Sequence, residues 1–299
     1  MPSVTVRVPA KVNLTLSVGP RRRDGYHELA TVFHAVSLYD EVVASPSEQI
    51  TVSVEGAGSS GVPLDGSNLA IQAAQTLAAY AGVVTGAALH IRKDIPVAAG
   101  MAGGSADAAA ALVACDALWD TGLGRPELSI LAARVGSDVT FGLVGGTVLG
   151  TGRGERLTPV MVGGTFHWVL ALAEHGLAVS QVYATLDKLR GPGDVDPPAV
   201  APEVLVALRA GNAEALGELL SNDLEMAARE LAPDLAATLE TGRSLGALGA
   251  MVSGSGPTCA FLVRDAEHGL DLAMGLTTAQ VSADVRRATG PVPGARIVG

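Results

Sequence analysis

The sequence predicts an α+β fold in two domains, with a division near Thr158. Three observations carry that prediction. Strand and helix patterns alternate through the first half, and after Thr158 the pattern turns to a run of helices bracketed by strands. The third is that 48% hydrophobic content over 299 residues is enough to build a core for each half. Residues 1–158 form the first expected domain and residues 159–299 the second. Aromatic residues make up only 3%, so the cores must be built from Ala, Val and Leu.

Each element has its own signal. Val4–Val8 (VTVRV), Leu14–Val18 (LTLSV) and the ITVSVEG stretch from Ile50 alternate apolar with polar residues and are rich in β-branched side chains, as half-buried strands are. A helix follows from the Ser67/Asn68 cap to Gly82, with apolar residues at helical spacing. ALHIRKDIP is a strand, and a long alanine-rich helix runs from about Ser105 to Trp119. A short helix at Glu127–Arg134 leads to VGSDVTFGLVGGTVLGTGRGE, which reads as a turn followed by glycine-punctuated strand. Beyond Thr158 come the strand HWVLALA, a helix from Ser180 and a disordered-looking linker, RGPGDVDPPAVAP. Several helices follow, including NAEALGELLSNDLEMAARE and APDLAATLETGRSLG, and ALGAMVSGSGPTCAFLV closes as strand–turn–strand.

Charge and composition narrow the function. A net charge of −10 argues against nucleic-acid binding and against a polybasic membrane surface. A long uncharged run between Arg243 and Arg264 holds four glycines and a proline, which is wrong for a membrane helix. Arg7 and Lys11 stand where an export signal needs its apolar centre. The expectation is a soluble cytoplasmic protein. Cys115 and Cys259 sit in apolar runs and read as buried hydrophobes, and the cysteines and histidines show no metal-ligand spacing.

Three separated stretches carry chemistry. PVAAGMAGGSADAAAALVAC, from Pro96, places glycines and a serine directly before a helix. Glycines cluster where backbone must turn sharply or approach something closely, and a helix N-terminus suits an anion. The loop is neither a Walker A sequence nor a dinucleotide fingerprint. PAKVNLTLSV places Lys11, one of only three lysines, beside Asn13 in a strand pattern. SGSGPTCAF is a second glycine-rich turn between apolar strands. Taken singly, these also fit a small-residue packing contact, a snorkelling surface lysine and a tight hairpin.

In this order, P-A-K-x-N-L, G-x-x-G-G-S and S-G-S-G-P-T resemble the GHMP kinase superfamily over nearly the whole chain, from about Val8 to Leu262. R-x-D-G-Y-H-E-L (Arg22–Leu29), V-G-S-D-V-T-F (Val135–Phe141) and G-x-G-E-x-L-T-P (Gly152–Pro159) narrow the resemblance. They look like the branch that phosphorylates a cytidine-diphosphate-linked methylerythritol in the non-mevalonate isoprenoid pathway. The resemblance implies an N-terminal ATP-binding domain, a C-terminal substrate domain and a cleft between them. It also implies ATP-dependent phosphorylation of the tertiary 2-hydroxyl, with Mg2+ as a further cofactor. Lys11 and Asp138 are then the catalytic pair, with Asp138 accepting the hydroxyl proton. Pro96, Ala99, Gly100, Met101, Ala102, Gly103, Gly104 and Ser105 belong to the ATP loop, and Ser105 is a candidate metal ligand. Asn68 and Lys93 match positions near the adenine, although a helix cap and a surface charge are equally open readings of them. Tyr26, His27 and Tyr183 take the cytosine, the two tyrosines on its faces. Asn13 lies near the reacting hydroxyl, and Ser253, Gly254 and Ser255 close the cleft. Thr140 stands where the related pattern more often has proline. Homoserine, mevalonate or sugar kinases of the superfamily do not explain R-x-D-G-Y-H, and a catalytically silent relative would tend to lose Lys11 or Asp138.

Overall fold

The computed structural model describes residues 3–298, so Met1, Pro2 and Gly299 lie outside it, and with them the first residues of the stretch read for an export signal. Two long antiparallel strands, β1 (Val4–Arg21) and β2 (His27–Ser47), open the fold. The two short strands expected at Val4–Val8 and Leu14–Val18 are the ends of β1, joined through register shifts at Pro9/Ala10 and Asn13/Thr15. A bulge tolerates proline because no ladder hydrogen bond is lost there. Both strands are covered on both faces through their middles, so they show no clean alternation, and the sequence gives β2 no signal.

β3 (Thr51–Glu55), α1 (Leu69–Ala81) and β4 (Gly86–Arg92) follow as expected. Next come α2 (Gly103–Trp119), α3 (Arg125–Val135) and α4 (Ser137–Val144), then β5 (Thr147–Gly152) and β6 (Arg156–Pro159). The sequence predicts a turn followed by strand from Val135 onward, where the structure holds a helix over Ser137–Val144. The reason is packing: α4 lies so tightly on α2 that a side chain at Gly142 would stand 2.7 Å from the Ala109 methyl group. Burial against α2 outweighs the poor helix propensity of glycine.

The second half contains β7 (Phe166–Leu172), α5 (Val179–Arg190), α6 (Pro202–Ala210), α7 (Ala213–Leu219), β8 (Ser221–Asn222), α8 (Glu225–Leu231) and α9 (Asp234–Ser244). β9 (Gly249–Val252), β10 (Cys259–Val263), α10 (Ala266–Ala279), β11 (Asp284–Gly290) and β12 (Arg296–Ile297) complete it. The helix expected from Asn212 to Glu230 breaks after Leu219, and Ser221–Asn222 pair with β1 instead. The stretch after Arg190 has no regular element, but it is packed: Pro198 sits where a side chain at Gly19 would have to go.

One sheet has the order β12-β1-β2-β4-β3, with β5 and β6 continuing from β2 and β8 beside β1; the other has the order β11-β7-β10-β9. β7 serves both cores. Trp168 and Leu170 face the core of the first sheet, while Val169 and Ala171 face the second core, as the two-residue period of a strand requires.

His34 marks this junction. It is 0% exposed, bonds Thr147 Oγ1 through Nδ1 at 2.8 Å and lies against Phe166 and Trp168. Burial pushes its pKa down from 6.5 to about 3, against a smaller opposing pull from the Gly290 backbone. His34 is therefore neutral when folded, and the unfolded chain binds a proton there below pH 6.5. Its contribution to stability is present above that pH and falls as the pH drops towards 3, by up to about 1.4 kcal/mol per pH unit. Urea titrations at pH 7.5 and 5 are expected to give a stability loss that shrinks by close to one proton's worth in His34→Gln.

Candidate active site

The glycine loop joins β4 to α2. Its residues are fixed from below: Met101 is 0% exposed and accepts the Lys11 N–H at 3.3 Å, and the Ala99 carbonyl accepts the Thr258 N–H at 3.4 Å. Gly100 has φ +73°, and a side chain there would run into the Ser253 carbonyl. Ala98 and Ala102 are also left-handed, at φ 52° and 59°, a conformation that disfavours L-residues by about 1–2 kcal/mol each. Ala102 occupies the N-cap of α2 and supplies no side-chain hydrogen bond, so the first N–H groups of α2 have no cap and face a cavity of about 270 Å³. An uncapped helix start beside open space is an anion site.

Lys11 enters this cavity from β1. Its ammonium donates to Asn13 Oδ1 and to the Gly100 carbonyl, both at 2.6 Å. Asn13 is held in turn, since its Nδ2 donates to Thr31 Oγ1 at 2.8 Å and that hydroxyl donates to the Thr15 carbonyl. Burial pulls Lys11 below the usual lysine pKa, and the Asp138 charge pulls it back. Asp138 lies in the first turn of α4, lines the same cavity and forms no ion pair with Lys11. The expected pair thus faces one chamber without touching. Across it stands the turn after β9. Ser253 Oγ donates to the Gly100 carbonyl at 3.2 Å, and a side chain on Gly254 would come within 2.7 Å of the Lys11 ammonium.

A second cavity, of about 620 Å³, shares Leu29, Ser105, Asp138, Val179 and Tyr183 with the first. The two form one cleft with Asp138 at the join. Tyr26 and His27 line the far arm. His27 stacks on Tyr183 with ring centroids 5.1 Å apart, and its Nε2 meets Asp187 Oδ1 at 2.8 Å. Burial raises the Tyr183 phenol above its usual pKa, and the negative Asp138 adds to the rise. Tyr26 is 54% exposed and carries the Arg153 guanidinium over its ring at 4.9 Å.

Several expectations need correction. The Asn68 amide is committed: Oδ1 caps α1 at Ala70 N, and Nδ2 donates to the Pro63 carbonyl. Lys93 is not at the surface. It is 2% exposed, with its ammonium 2.5 Å from Asp40 and 2.8 Å from Asp107. Neither side chain is available to adenine, and Leu69 instead borders the cavity at the start of α1. The cavity lining includes Ala99, Gly100, Ala102, Gly103, Gly104 and Ser105, but not Pro96, Met101 or Ser253; the Met101 and Ser253 side chains are packed beneath the surface. Ser105 lies within the first turn of α2, after the Ala102 N-cap. Thr140, 7% exposed, lies inside α4.

The chain matches two family models, the GHMP kinases N terminal domain over residues 68–148 and the GHMP kinases C terminal over residues 204–273. It is 56% identical to a 4-diphosphocytidyl-2-C-methyl-D-erythritol kinase of Thermobifida fusca, covering 99% of this chain and 98% of that one. The protein of the same name from Streptomyces avermitilis is 54% identical, over 99% of this chain and 100% of that one. The chain belongs to the 4-diphosphocytidyl-2-C-methyl-D-erythritol kinase family of the GHMP kinases. A crystal structure of a 4-(cytidine 5'-diphospho)-2C-methyl-D-erythritol kinase superposes with a TM-score of 0.75 at 33% identity, covering 95% of this chain and 98% of that one. A homoserine kinase from Cytophaga hutchinsonii superposes at 0.77 with 16% identity, over 100% and 98% of the two chains, a likeness of fold.

Some residues of the cleft carried no signal in the sequence. Arg153 occupies a variable position of G-x-G-E-x-L-T-P, and nothing in the helix pattern from Ser180 singles out Asp187. Asp40, in an unrecognised strand, offered nothing to mark it as a partner of Lys93.

Proposed function

We propose that this chain transfers the γ-phosphoryl group of ATP to the 2-hydroxyl of 4-diphosphocytidyl-2-C-methyl-D-erythritol. The observation that carries the reading is the two-armed cleft, with a phosphate-suited helix start in one arm, an aromatic platform in the other and Asp138 in both. The 53–56% identity to kinases of that name supports the substrate.

The polyphosphate lies on the N–H groups that open α2, and Lys11 brings positive charge to the negative phosphoryl oxygens during transfer. Asp138 accepts the hydroxyl proton as the oxygen attacks. Cytosine lies between Tyr26 and Tyr183. With Nε2 tied to Asp187, His27 keeps Nδ1 and its backbone for the base edge. Arg21 and Arg153, both lining that arm, supply positive charge to the diphosphate. The described residues hold no cluster of three or more His, Cys, Asp or Glu suited to a metal ion. Mg2+ carried on the phosphates needs only one or two protein ligands, and Ser105, which lines both arms of the cleft, is our candidate for one. When bound, the ion neutralises phosphate charge. Residues 1–158 and 159–299 are the two functional units of this reading. No helix among the described residues is long and apolar enough to cross a membrane, and we place the enzyme in the cytoplasm with a small-molecule substrate and no nucleic-acid partner.

The test is ADP release by the purified protein with the cytidine-diphosphate substrate, homoserine and mevalonate in separate assays. Turnover with the first alone supports the proposal, and turnover with either of the others overturns the substrate. Tyr26→Ala is expected to raise KM for the cytidine substrate about tenfold, the worth of one base stack, while kcat changes little.

A further inference from the structure

The four residues Asn222–Glu225 lie outside every motif singled out in the sequence, yet they tie together the two walls of the phosphate chamber. Asn222, in β8, donates both hydrogens of its amide, one to the Val252 carbonyl at 2.8 Å and one to the Gly254 carbonyl at 2.7 Å. Its oxygen accepts the Leu224 N–H at 2.9 Å. Glu225 accepts the Val252 N–H at 3.1 Å. On the other side, Asp223 accepts the Val18 N–H at 2.8 Å and donates its own N–H to the Leu16 carbonyl at 2.9 Å. β8 pairs with β1 at Thr15 and Leu16, on the strand that carries Lys11 and Asn13.

A trans peptide sets its C=O and N–H in opposite directions. With the Gly254 carbonyl held by Asn222, the Ser255 N–H points away from Asn222, and Gly254 and Ser255 both line the chamber. Only a primary amide presents two hydrogens to two carbonyls and an acceptor to a third group in this geometry. Resting on the function proposed above, we propose that Asn222 is a positioning residue that fixes the Gly254–Ser255 peptide so that its N–H faces the transferred phosphate. An aspartate there has the same shape but no donor, and its charge opposes both carbonyls, so the peptide loses its fixed direction.

The test compares wild type, Asn222→Asp, Asn222→Ala and Leu235→Ala. The last opens a cavity in the second core, where Leu235 is 2% exposed, and controls for lost stability alone. ATP affinity is read by calorimetry without the alcohol, alongside kcat, both KM values and Tm. Asn222→Asp is expected to weaken ATP about tenfold and to lower kcat about 100-fold, the cost of losing one oriented donor. KM for the cytidine substrate stays within about twofold, since the aromatic arm is untouched, and Leu235→Ala lowers Tm without either kinetic effect. The inference is overturned if ATP affinity and kcat of both Asn222 variants match wild type, or if they fall no further than in Leu235→Ala. Should wild type prove inactive on the cytidine substrate, the substrate proposal fails, and ATP affinity alone still decides the role of Asn222.

Discussion

Asp138→Asn is expected to lower kcat about 10³-fold while leaving both KM values within a few-fold, the loss typical of removing a general base. Asparagine keeps the shape of the side chain and suits a first helical turn, so α4 should stay folded on α2. What is lost is the site that takes the hydroxyl proton. Lys11 then faces the chamber with no carboxylate to oppose the effect of burial on its ammonium. The measurement is steady-state ADP release with each substrate varied in turn. A kcat within tenfold of wild type would remove Asp138 from the proton-accepting role and leave positioning as the source of rate.

Lys93→Met is expected to destabilise the protein by about 3–5 kcal/mol, the usual cost of stripping one partner from a buried ion cluster. Burial alone would lower the Lys93 pKa, but the Asp107 and Asp40 carboxylates outweigh it and hold the ammonium above its ordinary value. Asp40 also accepts the N–H groups of Asp94 and Ile95, at 2.7 and 2.9 Å, where the chain leaves β4 for the glycine loop. Asp107 belongs to the first turns of α2, and burial pushes its carboxyl up. Removing the lysine leaves two facing carboxyls beneath the loop, and one must take up a proton for the fold to survive. Urea denaturation at pH 7.5 measures the loss. The double variant Lys93→Met/Asp107→Leu should recover part of it, because only Asp40 is then left buried, still holding the Asp94 and Ile95 N–H groups, and no second carboxyl faces it. Equal stability of wild type and Lys93→Met would mean that the cluster contributes nothing.

The site was legible where chemistry concentrates in a few unusual residues. The glycine loop, Lys11, Asp138 and the aromatic arm all reach one cleft, although they come from distant stretches of chain. The fold was legible where a pattern had one wet face: α1, β3 and β4 follow their periodicity. It was not legible where burial removes the pattern. β1 and β2 are covered on both faces, so one strand looked like two fragments and the other like nothing. Ser137–Val144 carries turn-like residues, and only contact with α2 makes it helical. Asn222 sat within what read as continuous helix, because the break after Leu219 is set by pairing with β1 and not by any local stop signal. The sequence leaves Lys93 open between an adenine contact and a surface charge, because its partners lie 53 and 14 positions away, at Asp40 and Asp107.

The place of β12 has a consequence for how the molecule is made. Val6 and Arg7 pair with Ile297 and Arg296, so the start of β1 is covered by a strand from the far end of the described fold. Until β12 is made, the start of β1 has an unpaired rim, and an open strand edge recruits other chains. The core around the alanine helix also takes Phe166, Trp168, Leu216 and Ala295 from the second half, so neither that core nor this rim is complete until residue 297 has been made. Substitutions in residues 292–298 would therefore act twice, on the finished fold, where Ala295 is buried in the first core, and on the interval during which the start of β1 waits for its partner.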